Sequence, residues 1–127
     1  MRIINTTPHP ITFLFPDGHE ETIQPCGFLL NARAEEREVY AYRPTHQGEE
    51  FRLAVVETRF IPTREGEAWR EKIENEIDEG KECTFIVGSI IAAQAYPGIF
   101  AMIAAPGYER VPPDQKKMRA DKFTVFR

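Results

Sequence analysis

An α+β fold is predicted by three observations. Two apolar-alternating segments flank Pro16-Asp17-Gly18, the apolar period lengthens from two to about four at Thr63, and strand character returns at Thr84. The expected architecture is a twisted, mainly antiparallel sheet from the N-terminal half, then an amphipathic helix over about 63–80, a short second helix over about 89–96 and closing strands. The chain has 127 residues, enough for one buried core, and is read as a single domain, 1–127.

Ile11 to Phe15 and Glu20 to Gln24 form a hairpin, because proline at the first corner and Gly18 at a left-handed position specify a tight turn between them. Pro25-Cys26-Gly27 breaks the second strand, and Phe28-Leu29-Leu30 and Glu38 to Tyr42 read as further strands. After a loop at Arg43 to Gly48, a β-rich run reaches Pro62. Trp69, Ile73 and Ile77 then recur every four residues among charged ones, a thin helical stripe, with Gly80 as the stop. This stripe is expected to cap the sheet, with the helix as the interface if the protein assembles. Thr84 to Val87 is a strand, Gly88-Ser89 a turn into the second helix, Ile99 to Ala104 a buried strand and Lys122 to Phe126 the closing one. The core is expected to draw on Ile11, Phe13, Ile23, Leu53, Val55, Phe85, Val87, Ile91, Phe100 and Ile103.

Charge and composition exclude several classes. A net charge of −4 gives no bulk attraction for a nucleic-acid duplex or an anionic membrane. The apolar run Ile86 to Met102 is interrupted by Gly88, Ser89, Gln94, Pro97 and Gly98, and falls short of a membrane span. The expected compartment is therefore the cytoplasm. Cys26 and Cys83 lie outside any metal-ligand spacing and are expected to be thiols, with no metal bound.

The sequence holds no P-loop, no dinucleotide fingerprint and no nucleophile elbow, and His9, His19 and His46 all fall in turns or loops. No catalytic residue and no cofactor are assigned. Two constellations suit an anionic ligand instead. Gly88-Ser89, at a strand-to-helix turn, could present backbone N–H groups to a phosphate, or Ser89 could simply cap the helix. Arg59, Arg110 and Arg119 are candidate phosphate forks, and Phe85 or Tyr108 a candidate stacking surface. His9, clamped in Thr6-Thr7-Pro8-His9-Pro10, reads as the hydrogen-bonding anchor of a stiff turn, so that its replacement should damage folding before chemistry.

Ile3 to Ile11, Ile23 to Gly27 with Ala32-Arg33, and Thr84 to Ala92, in that order, resemble a family of small phage and prophage proteins. Its members begin with I-N-x-T-P-H-x-I, carry a P-x-G-x-x-A-R-type turn and a Y-I-V-S-x-x-V-A-type step, and end in a segment like Arg110 to Phe126. The similarity covers most of the chain except the helix at 63–80, which looks like an insertion. It departs where Gln24-Pro25-Cys26-Gly27 replaces P-P-S-G, in the spacing before Ala32-Arg33, and where Gly88 precedes the serine.

The overall plan also resembles the first class of Thoeris anti-defence proteins, phage-encoded oligomeric sponges for cyclic ADP-ribose signals, some of which also take cyclic oligonucleotides. That resemblance implies a non-catalytic protein in the host bacterial cytoplasm. It further implies sequestration of a cyclic nucleotide immune messenger and a homo-oligomer, with a hexamer as the assembly suggested. It aligns no ligand contact onto a numbered residue. The competing readings are a small phage structural or host-interaction protein using the Trp69 helix, and a nucleotide-cleaving enzyme using His9 or His46 with a carboxylate.

Overall fold

Arg2–Asn5 forms β1 at one edge of a six-stranded sheet in the computed structural model, which describes residues 1–77 and 82–126. Next come the hairpin β2 (Ile11–Leu14) and β3 (Glu20–Ile23), the long strands β4 (Ala32–Tyr42) and β7 (Leu53–Pro62), and between these the two-residue strands β5 (Thr45–His46) and β6 (Glu49–Glu50). Helix α1 (Arg64–Asn75), β8 (Thr84–Gly88), α2 (Ile90–Ala95), β9 (Phe100–Ala104), a 3-10 turn at Pro113–Gln115 and β10 (Lys117–Thr124) complete the chain. The α+β expectation holds. No helix among the described residues is long and apolar enough to cross a membrane.

The main sheet runs β1-β8-β9-β10-β2-β3. It is mixed: β8 pairs in parallel with both β1 and β9, and β10 in parallel with β2, while β9–β10 and β2–β3 are antiparallel. The β8–β9 pair is parallel because α2 carries the chain from β8 back to start β9 in the same direction, as a parallel crossover requires. β4 and β7 stand outside this sheet as a separate antiparallel ribbon.

Alternation along the strands sends side chains to two faces, each with its own core. Ile4 and Ile86 pack with Leu30, Ile73, Ala92, Tyr96 and Ile99 under the two helices. Ile3 and Val87 pack on the opposite face with Phe13 and Ala120, beside the half-buried Phe100, Met102, Met118 and Phe123. The Trp69 stripe belongs to the first core: Ile73 is buried, Ile77 packs against it, and the Trp69 ring stacks on Phe28 at 5.1 Å.

Tyr96 joins the helical layer to the ribbon. Its ring is wholly buried, its hydroxyl donates to the Asn31 carbonyl at 2.5 Å, and it accepts from the Thr63 N–H at 3.2 Å. Asn31 and Thr63 flank the ribbon's two strands, so one hydroxyl ties both ends of its base. Gly66 is required beside it, since a Cβ there would lie 1.8 Å from that hydroxyl.

Several expectations need correction. Leu53 and Val55 are exposed on the ribbon rather than buried, and Ile91 is 44% exposed on the outer side of α2. Phe28-Leu29-Leu30 is not a strand; it crosses the helical core as irregular chain, with Phe28 against Trp69 and Leu30 buried. The closing strand spans Lys117–Thr124 rather than Lys122 to Phe126, because its first residues pair with Thr12 to Leu14 of β2, and Arg2–Asn5 forms a strand that its own residues do not announce. Helix α1 begins where expected, with the Thr63 hydroxyl accepting from the Gly66 N–H, but ends at Asn75 with Glu76 as its cap. The expected stop at Gly80 lies outside the described residues.

Candidate functional site

The N-terminal turn is built around Asn5, which is fully buried and satisfied at all four of its side-chain positions. Its amide nitrogen donates to the carbonyls of His9 and Ile23, at 2.8 and 3.1 Å. Its oxygen accepts from the N–H and the hydroxyl of Thr7, at 2.9 and 2.7 Å. Thr6 closes the other side, its hydroxyl donating to the Val87 carbonyl at 2.8 Å. Here the expectation for His9 changes: its backbone carbonyl is the anchor, and its exposed ring is left over for other work.

His9 also lines a cleft of about 560 Å³, with Pro10, Ile11, Thr12, Pro113, Asp114, Lys116 and Met118. Two distant proline-stiffened segments meet there because β2 and β10 run in parallel register, Thr12 opposite Lys117 and Phe13 opposite Met118. Pro10, Ile11, Pro113 and Met118 give apolar walls, and His9, Thr12, Asp114 and Lys116 give polar groups at their margin. Among the described residues Lys116 makes no ion pair, so its ammonium can meet an anion. The volume falls in the range of small-molecule sites. An apolar wall with a few convergent polar groups is suited to binding a flat, partly charged ligand.

Apart from His9, the candidate ligand-binding residues assigned from sequence lie elsewhere, in three places. Gly88 and Ser89 end β8 and start α2, where the Ser89 hydroxyl accepts from the Ala92 N–H at 3.0 Å as an ordinary helix cap. Gly88 is needed because a Cβ there would lie 2.9 Å from the Thr6 hydroxyl and 3.1 Å from Ile99. Phe85 is half-buried among Phe100 and Phe123, at ring distances of 6.1 and 5.8 Å, so it is sheet packing.

Tyr108 and the exposed Arg110 sit in the connection from β9 to β10, and the Lys117 ammonium lies 5.1 Å over the Tyr108 ring. Arg119 is engaged by Asp121 through two bonds of 2.8 and 3.1 Å, which hold the Asp121 carboxyl below its usual range. Arg59 is on the ribbon, opposite Glu35. The structure brings none of these three groups to the cleft. The cleft residues share no local motif; the one sequence signal is a pair of proline-marked turns, Pro8-His9-Pro10 and Pro112-Pro113.

The histidines are also dispersed. His46 is in the two-residue strand near the ribbon's tip. The His19 ring lies 2.5 Å from Asp17 and 3.5 Å from Glu21 and stacks on Phe15, on an exposed turn. Cys26 is half-buried and Cys83 exposed, both as free thiols. No group of three or more His, Cys, Asp or Glu side chains among the described residues could hold a metal ion. Comparison with protein-family models, curated proteins and solved structures returns no match.

Proposed function

We propose that this protein is a non-catalytic binder that holds a cyclic nucleotide messenger, of the cyclic ADP-ribose type or a cyclic oligonucleotide, in the His9–Lys116 cleft. It would thereby withdraw the messenger from a bacterial anti-phage defence. The observation that carries the reading is the cleft itself: nucleotide-sized, apolar-walled, and edged by Lys116 and His9, with the Thr12 hydroxyl and the Asp114 carboxylate beside them. Lys116 and the His9 ring would take phosphate oxygens, while Pro10, Ile11 and Met118 cover the base or ribose.

The resemblance of the overall plan to the first class of Thoeris anti-defence proteins supports the biological role, and the Ile3–Ile11 and Thr84–Ala92 segments support a phage origin. Sequestration needs tight stoichiometric binding and no chemistry, which suits a cleft with one histidine. The phosphate ligands assigned from sequence, Arg59, Arg110 and Arg119, have no part in this site.

Incubation with a cyclic ADP-ribose isomer, followed by denaturation and chromatography, tests the proposal. Recovery of intact ligand in proportion to protein is expected. Conversion of the ligand would instead support the enzyme reading, and absence of binding would leave a structural or host-interaction role.

A further inference from the structure

β4 and β7 are the longest strands of the described residues and the least covered. Past the half-buried base residues Ala32 and Phe60 to Pro62, every position of both strands is exposed. The ribbon extends about 33 Å at ordinary strand rise, and an isolated two-stranded ribbon is marginal in water. Its base is tied to the helical layer, because the Tyr96 hydroxyl bonds Asn31 and Thr63 on either side of it. Past its base, both faces of the arm are exposed.

Register defines what one face of the arm presents. Glu35 is opposite Arg59, and Arg37 is opposite Glu57, with an Arg37–Glu57 bond of 2.7 Å. Between Glu38 and Tyr40 the register shifts, a bulge that adds Val39 and reverses the alternation of β4. The bulge therefore turns Tyr40 and Tyr42 onto the same face as the charged quartet, opposite Val55 and Leu53. These four apolar side chains are 61%, 55%, 38% and 39% exposed, and the two tyrosine rings lie 6.4 Å apart.

We propose that this face packs against the same face of a second copy of the chain, the two arms lying side by side about a two-fold axis that runs along them. The quartet is a checkerboard, with the acids on one diagonal and the bases on the other, and so it is complementary to itself. A two-fold along the strands sets Glu35 against the partner's Arg59 and Arg37 against the partner's Glu57. The same rotation lays Tyr40 over the partner's Val55 and Tyr42 over the partner's Leu53, removing both apolar ends from water. A two-fold across the strands also opposes unlike charges, but it sets Tyr40 against the partner's Arg33 and carries Tyr42 beyond the end of the partner's β4. Only the lengthwise axis satisfies the charges and covers the tyrosines together.

Light scattering on the eluting full-length protein at about 100 μM tests this, a concentration at which even a micromolar dimer is almost fully formed. A dimer or a multiple of one is expected for the wild type. Tyr40→Lys with Tyr42→Lys should raise the dissociation constant about a hundredfold or more, with unchanged circular dichroism. The two-fold is tested by charge sorting: one chain carries Glu35→Arg and Glu57→Arg, the other Arg37→Glu and Arg59→Glu. Each alone should lose the association and an equimolar mixture should regain it. A monomeric wild type, tyrosine variants that associate as before, or a mixture that fails to recover the association would each overturn the proposal.

Discussion

The side-chain amide of Asn5 donates to the carbonyl of His9 across 2.8 Å, and the same fully buried side chain makes three further hydrogen bonds. The turn that leads into β2, and with it one wall of the cleft, is thus held by asparagine chemistry acting on backbone. Asn5→Leu is expected to destabilise the protein by about 3 kcal/mol in urea unfolding, since buried carbonyls and an N–H lose their partner. Asn5→Asp should also destabilise it, because a second acceptor would face the His9 and Ile23 carbonyls. His9→Ala should stay within about 0.5 kcal/mol of wild type, because its carbonyl remains.

Gly66 and Tyr96 form a coupled pair. In an exposed helix interior, glycine to alanine would stabilise; here the added Cβ meets the Tyr96 hydroxyl at 1.8 Å. Gly66→Ala should cost about 2 kcal/mol or more by overpacking, and Tyr96→Phe about 1–3 kcal/mol through its lost bonds to Asn31 and Thr63. The double variant should cost less than the sum, since the hydroxyl is what the new methyl meets first. Denaturant midpoints of the four proteins check this.

Ser89 and Lys116 should separate stability from binding. Ser89→Ala removes the cap on the Ala92 N–H and is expected to cost about 1 kcal/mol with ligand affinity unchanged. Lys116→Ala should leave stability within about 0.5 kcal/mol and weaken ligand binding about tenfold or more through a lost charge-assisted bond. Calorimetric titration beside thermal melts distinguishes the two patterns.

The exposed turn at His19 predicts a pH dependence. The hydrogen bond to Asp17 raises the His19 pKa above its ordinary 6.5, against partial desolvation and with help from Glu21, and it lowers Asp17 below its ordinary 3.8. A raised histidine contributes stability that is fully present below 6.5 and lost as pH climbs through its folded value. A lowered carboxylate contributes stability that is present above 3.8 and lost as pH falls through its folded value. The turn should therefore be best ordered between these limits. A proton NMR titration should place His19 above its value in the Asp17→Asn variant, and equal midpoints would contradict the pairing.

Local chemistry made part of this fold legible. Pro16-Asp17-Gly18 marks the β2–β3 turn, with Gly18 at φ 93°, the spacing of Trp69, Ile73 and Ile77 marks the first helix, and Ser89 announces the second as its cap. Pairings distant in the chain were hidden: β1 is four residues long and gains its partner from Thr84 to Val87. Leu53 to Val56 carries the apolar, β-branched character of a core strand, and nothing local says whether a layer will cover it. The cleft was illegible for the same reason, since His9 to Thr12 meets Pro113 to Met118 only through the β2–β10 register.

The proposed function places a cyclic nucleotide in the His9–Lys116 cleft. A heteronuclear NMR titration of the full-length protein with a cyclic ADP-ribose isomer tests it residue by residue. Saturable shifts concentrated at His9, Ile11, Thr12, Lys116 and Met118 are the predicted result. Absence of shifts at millimolar ligand, or shifts confined to Ser89, Arg110 and Arg119, would contradict it.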